Sequence, residues 1–262
     1  PAAAEMHMLT QPVRIIGSFL SPDVRKVLVA LEWKGVPYAV DPIVPFYGDD
    51  EFSRLSPLRR VPVLVDDAVT LCDSTVICEY LEERFPLPAL LPEGPAARAR
   101  ARWFEEYADT RLGDVLIWRY YAQFTVRRIL HGLPPDEAVI AKSREQDIPA
   151  ILDYLEREVP AEGFLCGAPS VGDVAVASMF RNAMLAGYAI DPARWPRSAA
   201  FVERVLALPP FVKLRGFEEA MVGVPPQERR PRLQAAGAPL SPTTVMSSTP
   251  RPGVMATGLM PG

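Results

Sequence analysis

Histidine and cysteine are scarce in this chain. His7, His131, Cys72, Cys78 and Cys166 are all it has in 262 residues. Neither Cys-x-x-Cys nor His-Glu-x-x-His spacing occurs, so no metal site is expected. An odd, sparse set of thiols is also a poor disulfide framework and points to a reducing compartment, the cytoplasm. Excess charge of one sign is missing too: a net −4 gives no electrostatic footprint for nucleic acid. No apolar run approaches the length of about 18 residues that a membrane-spanning helix needs. Residues 1–11 lack a basic stretch followed by an apolar one, so they read as a loose leader rather than a signal peptide.

Proline, by contrast, is plentiful: 29 residues, about twice the usual frequency of roughly 5%. That density disfavours a sandwich of long strands. Hydrophobic residues at 49% and charged residues at 23% describe a globular chain, long enough to bury a core without staples.

The hydrophobic pattern places β-branched Val13–Gly17 in a buried strand. Ser21-Pro22 then opens a helix, with serine as cap and proline where its missing N–H is harmless. Val24, Val27, Leu28 and Leu31 follow at helical spacing, and Gly35 stops it. Tyr38–Val44 reads as a second strand and Glu51–Leu55 as a short helix or turn. Val63–Val65 and Val69–Leu71 read as a hairpin, and a helix starting at Asp73 or Ser74 ends near Pro86. This order implies a small mixed sheet with helices on its faces, its opening strand pair parallel. From Pro95 onward no strand is expected. Ala96–Phe124 reads as one long helix. Glu137–Val159 is a second, which Pro149 should kink or divide. Shorter helices follow at Ser170–Gly187, Ser198–Leu206 and Pro210–Met221.

The chain therefore divides into an α/β domain at 12–86, a linker at 87–95 and an all-helical domain at 96–222. The remaining 223–262 carries eight prolines and few large apolar side chains, a composition expected to stay disordered as a solvated tail.

Three segments carry a resemblance. Gly17-Ser18-Phe19-Leu20-Ser21-Pro22-Asp23-Val24, then Arg60-Val61-Pro62-Val63-Leu64, then Leu71-Cys72-Asp73-Ser74-Thr75-Val76 occur in order before a helical domain. In this, residues 13–222 resemble a cytosolic glutathione transferase of the serine type, bacterial in character: a thioredoxin-like domain followed by a helical bundle. The resemblance implies conjugation of the glutathione thiolate to a small apolar electrophile, with glutathione as co-substrate and a homodimer as the assembly. A helix N-terminus lowers a thiol pKa, and Ser21 stands at one. The matching serine in the family donates to the sulfur, and Ser18 is the second candidate.

The resemblance further implies a cis bond at Pro62 that turns the Val61 backbone toward the peptide. Arg60 is then placed for the glycyl carboxylate, with Arg59 facing solvent, and Asp73 and Ser74 for the γ-glutamyl end. The second substrate would lie between the domains, among Phe19, Leu20, Tyr107, Arg111, Trp118 and Tyr121. Ser170-Val171-Gly172-Asp173 is a structural capping box, and Cys72 a small buried filler. The same fold also serves ligand carriers and scaffolds, and glutathione-dependent lyases, dehalogenases and ether-cleaving enzymes. These alternatives stay open at the level of sequence.

Overall fold

The computed structural model describes residues 11–251, with the backbone alone at 129 and 130. A four-stranded sheet in the order β2-β1-β3-β4 forms first. Strand β1 (Val13–Ile16) runs parallel to β2 (Tyr38–Asp41), with Val13 opposite Tyr38. Strand β3 (Val63–Val65) is antiparallel to β1, and β4 (Thr70–Cys72) is antiparallel to β3, Leu64 facing Leu71. The hairpin is closed by the Asp66 carboxylate, which accepts the amides of Ala68 and Val69 at 2.8 Å. Strand β2 stops three residues short of the expected Val44, because Pro42 has no N–H to donate.

Helix α1 (Pro22–Lys34) is capped by Ser21 and ends at Gly35. Helix α2 (Asp50–Leu55) is capped by Asp49, and α3 (Ser74–Arg84) by Asp73. The linker is pinned: Glu82 accepts the amides of Leu90 and Leu91, and the Leu90 carbonyl accepts from Val171.

The helical region begins with α4 (Pro95–Tyr107). It continues without a break through Ala108–Tyr121 into α5 (Ala122–Phe124), so the long helix is present. Its middle, however, is wound in the wider i→i+5 register of a π-helix, a form rare at this length. Helices α6 (Val126–His131) and α7 (Glu137–Lys142) follow. A second π turn at Ser143–Asp147 leads into α8 (Ile148–Glu158). Pro149 sits in the first turn of α8 and does not divide the helix, whose winding runs on from Glu137 to Glu158; with no N–H for the carbonyl of Glu145, it is accompanied by a widened turn just before it. Helix α9 (Val171–Leu185) is buried on almost every side and packs on α1, α4 and the π segment. Gly172 makes that approach possible, since a Cβ there would stand 2.6 Å from the Ala101 carbonyl oxygen. The capping box holds: Asp173 accepts from the amide and hydroxyl of Ser170 at 2.8 and 2.7 Å. Helices α10 (Pro196–Leu206) and α11 (Pro209–Glu219) complete the bundle.

The expectation of a disordered tail from 223 is corrected. Helix α12 (Pro226–Ala235) packs Arg229 and Leu233 inward. The chain then lies along the sheet edge as a strap. The amide of Val40 donates to the Pro239 carbonyl (2.7 Å), and the Val40 carbonyl accepts from Ser241 (2.8 Å). Val245 is fully buried among Ile16, Ile43, Phe52 and Val63, and its amide donates to Asp41 at 2.8 Å. Composition missed this because a few well-placed contacts on an open strand edge suffice; average hydrophobicity does not record them. Residues 252–262 of the expected tail, and 1–10 of the expected leader, lie outside the described residues.

Candidate active site

The loop between β1 and α1 is shaped by Gly17. Its φ of +148° is glycine territory, and a Cβ there would stand 2.4 Å from Val24 Cγ2 and 3.0 Å from Val61 Cβ. After it the chain turns tightly: the Ser21 amide donates to the Ser18 carbonyl at 2.9 Å. Ser18 Oγ is buried and accepts the Leu20 amide at 3.2 Å. Ser21 Oγ accepts the Val24 amide at a long 3.4 Å, which leaves its hydroxyl proton free to be donated.

Both serines open into a cavity of about 340 Å³ between the sheet domain and the helical bundle. Its walls bring together loop residue Leu20, Asp23 of α1, Val44 to Phe46 after β2, and Arg60 with Val61. Across from them stand Asp109, Gly113, Ile117, Trp118, Tyr121 and Thr125, then Met179 and Asn182 of α9 and Arg229 of α12. Of the expected site residues, Ser18, Leu20, Ser21, Arg60, Val61, Trp118 and Tyr121 line this space. The Val61–Pro62 bond is cis. Among the described residues the Val61 backbone N–H and C=O have no backbone partner, so an extended peptide can pair with them.

The expectations for Phe19, Tyr107, Arg111 and Arg59 are corrected. Phe19 is buried away from the cavity, its ring 5.3 Å from that of Phe217. Tyr107 packs on Tyr154 with ring centroids 4.8 Å apart, and Arg111 pairs with Asp114 at 3.5 Å on the outer face. The π register explains both. In an α-helix 107, 111, 118 and 121 share one face. The wider turns instead bring 109, 113, 117, 121 and 125 to the cavity. Arg59 does not face solvent. It is buried, with φ at 49°, and its guanidinium donates to the carbonyls of Pro45 (3.1 Å) and Gly48 (2.9 Å). Pro62, Asp73 and Ser74 stand off the cavity wall. Asp73, at a strained φ of 79°, caps α3 by accepting the amides of Thr75 (2.9 Å) and Val76 (3.2 Å).

Sequence reasoning missed a buried polar layer behind the loop. Lys26 Nζ lies 2.7 Å from Asp109, 2.9 Å from Glu105 and 3.1 Å from Thr75. Although burial works against its charge, Asp109 and Glu105 hold Lys26 protonated above the ordinary lysine range. Asp109 keeps its second oxygen buried without a partner among the described residues. Burial, with Asp109 and Asp73 nearby, pushes Asp23 up to about 7 against the pull of Lys26 and Arg25. Fully buried Arg25 ties the domains together. It donates to the Ser178 carbonyl and Asn182 Oδ1, each at 2.8 Å, and pairs with Glu218. An apolar-looking helix hid these residues; the only sequence signal was charge at positions where helical spacing expects core. Cys72 donates its thiol to the Leu55 carbonyl at 3.0 Å, off the cavity wall.

Residues 16–89 match the family of the glutathione S-transferase N-terminal domain. A solved glutathione S-transferase from Rhodospirillum rubrum superposes with a TM-score of 0.71 at 28% identity, over 77% of this chain and 91% of that one. Residues 16–89 thus resemble the N-terminal domain of glutathione S-transferases, and the chain shares the fold of solved members of that family. A second solved transferase, from Methylobacterium radiotolerans in complex with glutathione sulfonate, has a TM-score of 0.64 at 28% identity, over 78% of this chain and 94% of that one. Among curated relatives, a stringent starvation protein A homolog from Haemophilus ducreyi is 42% identical over 77 residues, 29% of this chain. The match spans only 36% of that relative's length. The glutathione S-transferase fold thus accounts for the sheet order and the bundle, and the cavity lies between them.

Proposed function

We propose that this protein is a glutathione transferase which conjugates the glutathione thiolate to small, largely apolar electrophiles. The observation that carries this reading is the Ser21 hydroxyl, free to donate at the N-terminus of α1, facing a cavity whose rim offers the unpaired Val61 backbone and the Arg60 side chain. Ser21 donates to the sulfur and, with the helix terminus, stabilises the thiolate. Ser18, whose oxygen already accepts within the loop, is the lesser candidate. Val61 holds the cysteinyl backbone, Arg60 the glycyl carboxylate, and Asp73 with Ser74 the γ-glutamyl end. The donor set fits the peptide: a hydroxyl for its sulfur, a guanidinium for a carboxylate and carboxylates for its amino group. The thiolate attacks an electrophilic carbon held against Leu20, Trp118 and Tyr121; on an aryl halide the C–S bond forms as the carbon–halogen bond breaks and halide leaves, and the chain contributes proximity plus a lowered thiol pKa.

A homodimer in the cytoplasm completes the reading. Half-exposed Val76 on α3 and Trp103 on α4 supply apolar surface for a two-fold contact.

The test is glutathione binding by calorimetry together with turnover of an aryl halide, on the wild type and Ser21→Ala. Binding with turnover that falls roughly hundredfold in Ser21→Ala is the expected result. Absence of binding at millimolar glutathione sinks the reading. Binding without turnover makes the protein a carrier.

A further inference from the structure

Arg229 is the cation that the proposed chemistry leaves without a task. It sits on α12, is 6% exposed, and lines the same cavity as Tyr121 and Thr125. Its recorded hydrogen bond among the described residues is Nε to the Val224 carbonyl, at 2.9 Å. No carboxylate of the described residues pairs with it. The other buried cations are treated differently. Arg25 has Glu218, Lys26 has Asp109 and Glu105, and Lys34 has Glu82 at 2.8 Å. Arg59 has no acid but spends its guanidinium on several oxygens. Burial without a counter-charge is costly, and here it depresses the Arg229 pKa. A guanidinium kept in that position, with its forked end toward an otherwise largely apolar space, has the geometry to receive a carboxylate in two-pronged fashion.

We propose that Arg229 is the receptor for a carboxylate on the electrophilic second substrate, so that this protein takes acidic electrophiles in preference to their neutral analogues. This rests on the transferase reading above and narrows it. Position separates the two arginines. Arg60 adjoins Val61 on the sheet side, whereas Arg229 stands near Tyr121, whose phenol feels its charge, on the helical side. Glutathione's own glycyl carboxylate is the competing source of the same chemistry.

The experiment has a binding arm and a turnover arm, each on the wild type, Arg229→Met and Arg229→Lys at one fixed ionic strength. In the first, calorimetry compares benzoate with benzamide. The wild type should bind benzoate roughly ten- to a hundredfold more tightly, Arg229→Met should abolish the preference, and Arg229→Lys should keep part of it. In the second, kcat/KM is compared for chlorodinitrobenzoate and chlorodinitrobenzene. Arg229→Met should lower the first by a similar factor and leave the second within about twofold. Thermal melting checks that each variant is folded.

Equal binding of benzoate and benzamide by the wild type, or a benzoate preference that survives in Arg229→Met, overturns the proposal whatever the turnover. A raised KM for glutathione with equal loss on both acceptors also overturns it, because the carboxylate then belongs to glutathione. Benzoate binding that depends on Arg229 in a wild type without turnover on either acceptor supports the carboxylate site and overturns only the transferase reading.

Discussion

Asn182 donates its side-chain amide to the carbonyl of Leu20, 2.8 Å away across the domain boundary. The same side chain accepts from Arg25 Nη1 at 2.8 Å. One buried amide on the central helix therefore holds both the loop that carries Ser18 and Ser21 and the first helix that follows it.

Replacing that amide separates the two duties. Asn182→Ala should cost roughly 1–3 kcal/mol in urea unfolding, because it strands a buried carbonyl and removes an acceptor from Arg25. Asn182→Asp keeps the acceptor and loses only the donor. It should unfold closer to the wild type while its turnover stays as depressed as that of Asn182→Ala. A turnover equal to the wild type in either variant refutes the positioning role.

Asp23 makes stability depend on pH. Its carboxyl ionises near 7 in the folded chain, well above the 3.8 of an unperturbed aspartate. Between those values the folded state binds more protons than the unfolded one, so this group's contribution to stability declines as pH rises from about 4 to about 7. Asp23→Asn removes the penalty. Its unfolding free energy relative to the wild type should be higher at pH 8 than at pH 4. An equal difference at the two pH values would contradict the assignment.

The strap is anchored by Val245, fully buried with Ile16, Phe52 and Val63. Val245→Asp places a charge there with no cation assigned to it. The expected outcome is release of the strap, seen as new proteolytic cleavage between 236 and 251 and a melting temperature several degrees lower. A digestion pattern identical to the wild type would show that the strap is held elsewhere.

Gly17 admits no side chain. Gly17→Ala places a methyl group 2.4 Å from Val24 Cγ2 on an unfavourable φ. Roughly 1–3 kcal/mol of stability should be lost in a denaturant titration, and glutathione affinity should fall with it as Val61 is displaced. Unchanged affinity would separate Val61 from the peptide site.

How much of this could be read in advance follows from the kind of signal involved. The sheet domain was legible almost to the residue, because Val13–Ile16, Ser21-Pro22 and Asp73-Ser74 mark strand, cap and helix by local chemistry alone. The loop serines and the Arg60-Val61 edge came instead from the resemblance to glutathione transferases, and all four residues line the cavity. The far wall did not. Tyr107 and Arg111 were placed by a 3.6-residue period, and the helix there turns more slowly. Arg25, Asn182 and Glu218 meet only after folding, from positions far apart in sequence. The tail was misjudged for a related reason. A strap needs a strand edge to lie on, and that edge, Val40 and Asp41, is 200 residues upstream in effect: the Val245 amide and Asp41 are separated by 204 positions.

That separation bears on how the protein is made. Residues leave the ribosome in order, and N-terminal domains form first. The sheet, the serine loop and most of the bundle are complete once Glu219 has emerged. Arg229 and the strap that covers the edge at Val40 come later in the chain. The cavity therefore owes one wall and its Arg229 cation to a segment that follows, in order of synthesis, every element it closes over.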